Sequence, residues 1–77
     1  MYDVIIEYLN KTGNWLKLTE KHIEKYEYQD MKNWLPGFIE ANYKLNVNRC
    51  FPKPFEYRYT FTDRKTKRSK TVNGIIW

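Results

Sequence analysis

Phe55, Tyr57, Tyr59 and Phe61 recur at every second position, with Glu56, Arg58, Thr60 and Thr62 between them. A β-strand sends successive side chains to opposite faces, so this spacing builds one aromatic face and one polar face. Such a strand belongs in a sheet with one side against a core. Tyr2 to Leu9 repeats the pattern, with Tyr2, Val4, Ile6 and Tyr8 on one side and Asp3, Ile5, Glu7 and Leu9 on the other.

Between these segments the period changes. Met31, Trp34, Leu35, Phe38 and Ile39 recur at three- and four-residue intervals, as on one face of a helix. Pro36-Gly37 interrupts that face. Asn33 as N-cap would put Pro36 in the first turn, where its missing N–H is not needed; the alternative is a helix from Asp30 with the proline inside it. Either version ends near Asn42 to Leu45.

The remaining segments follow from turn chemistry. Asn10 to Asn14, with Gly13 suited to a positive φ, joins the first strand to a second at Trp15–Thr19, giving a hairpin over 2–19. Residues 20–29 fit a strand extension or an irregular crossing better than a short helix capped by Thr19. Pro52 and Pro54 make 46–54 an extended connection that cannot lie in a central strand. Asp63-Arg64-Lys65-Thr66 turns the chain into a strand over Lys67–Val72, and Asn73-Gly74 reads as a bulge or second turn before Ile75, Ile76 and Trp77. The expected fold is α+β: one domain over 1–77, a β-β-α-β-β chain with an antiparallel sheet covered by a helix at about 30–44 and a basic hairpin at 55–77.

At 77 residues the chain buries only about 60% of the surface it exposes unfolded, so seven Tyr, four Phe and three Trp are expected chiefly as core. Dimerisation is a further source of stability for so small a domain. A single cysteine, Cys50, excludes an intrachain disulfide and fits a reducing compartment. The opening MYDVIIEYLN carries Asp3 and Glu7 where a secretory signal needs basic residues, and no stretch approaches the roughly 18 apolar residues of a membrane span. The expectation is a cytoplasmic protein without membrane association. Frequent Lys, Asn, Tyr and Ile beside one Ala suggest an AT-rich gene, a bias common in phages and mobile elements.

Charge gives the functional direction. Residues 1–44 carry six lysines against seven carboxylates, whereas residues 45–77 carry eight Lys and Arg against Glu56 and Asp63, so the net +5 belongs to the second part. Arg64, Lys65, Lys67, Arg68 and Lys70 lie within seven residues, and Arg58 extends the set along the polar face of its strand. These six residues are the expected contacts to the phosphates of nucleic acid, with Tyr57, Tyr59 and Phe61 as less favoured base-stacking groups. The competing reading is a phage or mobile-element inhibitor or adaptor that places the same surface on an acidic face of a host protein, such as a restriction or CRISPR defence component. Trp34, Phe38 and Trp77 are candidate docking residues.

Enzymatic function has little support in the residues. A nucleophile and base would need Cys50 or Ser69 brought to His22, the one Cys, Ser and His of the chain, and two Cys or His residues fall short of a four-ligand zinc site. Gly13, Gly37 and Gly74 are isolated, so no phosphate-cradling loop is present. The expectation is a non-enzymatic protein without metal or cofactor.

Overall fold

The computed structural model describes residues 1–24 and 30–77. Four strands and one helix follow in the order β1 (Tyr2–Leu9), β2 (Trp15–Ile23), α1 (Met31–Val47), β3 (Phe55–Asp63) and β4 (Ser69–Ile76). The strands form one antiparallel sheet, β2-β1-β3-β4, and α1 covers one side of it, an α+β architecture. Since β2 and β3 both run against β1, they are parallel to each other, and the helical connection carries the chain over β1.

The core follows from the two periodicities. Met31, Leu35, Ile39 and Tyr43, spaced by four, form the buried stripe of α1. They pack on Val4, Ile6, Leu18, Ile23, Phe55 and Phe61 from the first three strands. No polar side chain among the described residues is buried. Leu18 is buried out of alternation because the β1–β2 register shifts between Ile6 and Glu7, which lets the strand turn an extra side chain inward.

The first hairpin turn uses the expected residues, whereas the second runs on past Thr66 through Lys67 and Arg68, so the strand expected from Lys67 begins at Ser69. In the first, Asn10 Oδ1 accepts from the backbone N–H of Thr12 at 3.0 Å and of Asn14 at 2.9 Å, and Gly13 takes φ 87°. In the second, the Lys67 N–H donates to the Asp63 carbonyl at 2.8 Å and Lys67 itself takes φ 63°.

Three boundaries differ from those read in the sequence, at the start of β4, the far end of the helix and Asn73-Gly74, and two follow readings that it left open. β2 takes the strand extension as far as Ile23, four residues past Thr19, because β1 offers partners as far as Tyr2; residues 25–29 of the expected extension lie outside the described residues. Of the two helix starts open in the sequence, α1 takes the one at Asp30, so Pro36 lies inside it and the Lys32 carbonyl loses its usual donor. Its far end runs on to Val47, where Asn48 adopts a left-handed conformation (φ 56°) and donates its N–H to the Lys44 carbonyl. Finally, Asn73-Gly74 is neither bulge nor turn, because β4 pairs in unbroken register from Ser69 to Ile76. Gly74 is there because the Tyr57 ring lies across it: a Cβ at that position would come within 2.5 Å of Tyr57 Cζ.

Pro36 gives a direct test, since it is exposed and outside the buried core cluster. Replacing it with Ala restores the hydrogen bond to Lys32 and removes the clash, which outweighs the lost unfolded-state restriction by about 2 kcal/mol. Thermal denaturation of Pro36→Ala should show a Tm about 10 °C above that of the parent.

Candidate functional site

The side of the sheet turned away from α1 carries the polar half of each strand. Cross-strand partners share a face, so the register places Asp3, Ile5 and Glu7 of β1 beside Glu20 and His22 of β2 and Arg58, Thr60 and Thr62 of β3. Two ion-pair clusters form there.

Arg58 is the centre of the first. Its Nε donates to Glu7 Oε1 at 2.9 Å and an outer nitrogen donates to Oε2 at 3.4 Å. The guanidinium also lies over the Trp15 ring, 4.4 Å from its centroid. With its side chain only 32% exposed, Arg58 fastens β3 to both β1 and β2. Its charge is met within the sheet.

Arg64 anchors the second cluster at the turn after β3. Its Nε donates to Asp3 Oδ1 at 2.9 Å, and its backbone N–H donates to the Met1 carbonyl at 3.3 Å. The same carboxylate oxygen takes a 2.5 Å contact from His22 Nδ1. That nitrogen serves Asp3 as a donor, so its 3.2 Å approach to Arg64 is the meeting of two groups on one acceptor. The Arg64 guanidinium holds the Asp3 carboxyl below its ordinary value of 3.8, and Asp3 in return raises the arginine.

The rest of the basic run is different. Lys65, Lys67, Arg68 and Lys70 are exposed, and among the described residues none of them makes an ion pair. Lys17 pairs with Glu20 and Lys44 with Glu40, so four unmatched cations in six residues stand apart from a surface whose other charges are partly balanced. The Lys65 N–H donates to Asp63 Oδ1 at 2.8 Å and the Arg68 N–H to Thr66 Oγ1 at 3.3 Å, which holds the turn backbone while the long side chains project. Lys67 keeps a left-handed backbone that glycine or asparagine adopts more readily.

The aromatic face of β3 lies on the helix side. Phe61 is buried in the core, while Tyr57 and Tyr59 stack at 6.4 Å beside a groove of about 290 Å³ bordered by Leu35, Pro36 and Val72. Burial pushes the Tyr57 phenol above its ordinary value. Trp34 and Phe38 are half-buried, packed edge to face at 5.5 Å with Lys21 Nζ 4.3 Å from the Trp34 centroid. Trp77 is 80% exposed. The structure thus exposes Lys65, Lys67, Arg68 and Lys70 at the β3–β4 connection and the start of β4, places Arg58 and Arg64 on carboxylates, and packs the docking candidates Trp34 and Phe38 against each other.

The sequence reading missed Asp3 and Glu7 as partners of those arginines. Their alternation in β1 was visible, but nothing local shows that β1 neighbours β3. No group of three His, Cys, Asp or Glu side chains suited to a metal ion occurs among the described residues, and no helix among them is long and apolar enough to cross a membrane. No protein-family model, curated protein or solved structure matches the chain.

The Asp3–Arg64 pair sets an acid dependence. A carboxyl held below its unfolded value stabilises the fold fully above about pH 4, and the contribution disappears as pH falls through the lowered folded value. Asp3→Asn removes that dependence, so a plot of Tm against pH from 5 to 2 should fall less steeply for the variant than for the parent.

Proposed function

We propose that this protein binds nucleic acid through the phosphate backbone, using the turn between β3 and β4. The observation that supports this reading is that Lys65, Lys67 and Arg68 before β4 and Lys70 near its start are exposed and without a carboxylate partner among the described residues. Each phosphate neutralised by such a side chain releases condensed counterions, which drives association at low salt. Lys67 adds to the argument, because a lysine held at φ 63° accepts a backbone cost for the sake of its side chain. Arg58 and Arg64 act here as braces: they hold β3 and the base of the turn against β1, which positions the free cations.

The chemistry read from this surface is contact with phosphate, without base reading. β1 pairs with β3 as far as Asp63, and Arg64 is tied to Met1 and Asp3, so no free two-stranded ribbon extends past the sheet to enter a major groove. An acidic protein face is the other partner such a turn fits, as in the inhibitor or adaptor reading. Pull-down from nuclease-treated lysate separates the two, since a stoichiometric protein that survives digestion would overturn the nucleic-acid reading.

Four phosphate contacts predict a slope of log K against log salt of about −3.6 on duplex DNA, or about −2.8 on a single strand. Fluorescence anisotropy on a labelled oligonucleotide measures it. The triple reversal Lys65→Glu, Lys67→Glu, Arg68→Glu should abolish binding with an unchanged far-ultraviolet circular dichroism spectrum, and absence of salt-sensitive binding by the parent at low ionic strength would sink the proposal. Lys67→Gly should raise stability by about 1 kcal/mol through relief of the left-handed backbone while reducing the slope by about 0.9 on duplex.

A further inference from the structure

The end of the sheet opposite the basic turn holds a cleft of about 600 Å³. Its position follows from the strand directions: the cleft takes the start of β3 and the basic turn takes its end, roughly 30 Å away for a nine-residue strand. Tyr8, Tyr43 and Phe55 line it. Tyr8 and Phe55 stack at 5.7 Å with 21° between their planes, and Tyr43 meets both edge-on, at 5.5 and 5.4 Å. Three rings fixed against each other make a rigid apolar lining, of a size that small-molecule sites commonly have.

Two features of the rim give the cleft a chemical preference. Lys11, from the β1–β2 turn, and Arg49, just past the helix, both line it, both are exposed and neither makes an ion pair among the described residues. Glu56 is the one carboxylate side chain of the lining, against Lys11 and Arg49. Trp77 also lines the cleft while 80% of its surface remains in water. A ring so exposed beside an apolar wall gains burial by closing on an occupant.

We infer that this cleft is a binding site for a small planar aromatic anion, a ring system bearing one carboxylate or sulfonate. The ring lies against Tyr8, Tyr43 and Phe55 under Trp77, and the anionic group is met by Lys11 and Arg49. The site is independent of the basic turn.

The probe is 8-anilinonaphthalene-1-sulfonate, titrated against the whole protein with its fluorescence as readout, and competed with two naphthalenes of equal size and opposite charge. One probe molecule should bind per chain, displaced by 2-naphthoate and not by 2-naphthylmethylamine. Arg49→Glu and Lys11→Glu should each weaken binding by about threefold or more, the scale of an exposed ion pair, and Trp77→Ala should weaken it further. Lys65→Glu should leave it unchanged. Because Lys11, Arg49 and Trp77 are exposed, these variants keep the fold, and circular dichroism verifies that. Absence of saturable binding, equal displacement by the amine, or indifference to Arg49→Glu and Trp77→Ala would each overturn the proposal.

Discussion

β1 carries a strand on each side, and the rest of the molecule is arranged around that. Val4 and Ile6, fully buried on its inner face, share one core cluster with Leu35 and Ile39 of the helix. A strand paired on both edges satisfies all its backbone groups within the sheet, so these apolar residues can be buried without leaving a backbone donor or acceptor unmet. The helix then joins β2 to β3 by crossing over β1, which closes the core from above. In a domain of 77 residues this single contact surface between α1 and the inner faces of the strands is where most apolar area is removed from water.

The outer face of β1 has an equal role in the surface chemistry. Asp3 and Glu7 sit four residues apart on the same side, and each takes one arginine from the third strand or the turn beyond it. Neutralising Arg58 and Arg64 in this way divides the basic segment into two parts with different duties. The first part bonds strands together, and Arg58, stacked on Trp15, does so across three of them. The second, Lys65 to Lys70, faces water without counter-charges among the described residues. An excess of exposed cations around one turn has a direction and can orient an anionic partner on approach.

Much of this architecture was legible from short-range pattern. Period two in Tyr2–Leu9 and Phe55–Asp63, the three- and four-residue spacing from Met31 to Ile39, and Gly13 in its turn depend on steric rules that act within a few residues, so they survive into the fold. The places where the reading went astray are those where a neighbour distant in sequence overrides local preference. Asn73-Gly74 is a strong turn signal, yet Tyr57 on the adjacent strand needs that glycine's missing side chain, and the register of β4 runs straight through. Pro36 leaves two helix starts open locally, and burial of Met31 at the head of the apolar stripe selects the one at Asp30.

Alternation, turns and net charge are properties of the chain itself, and from them came the α+β class, the order of elements and the basic segment. Strand order is another matter. No local feature of Tyr2–Leu9 or Phe55–Asp63 says that they lie side by side, because pairing between residues some fifty positions apart is decided by which arrangement buries the apolar faces together. Only that pairing puts Glu7 against Arg58 and Asp3 against Arg64, gathers Tyr8, Tyr43 and Phe55 around one cleft, and leaves four cations of the basic run exposed. The amount of charge belongs to the chain, and its distribution between bonded and exposed groups belongs to the fold.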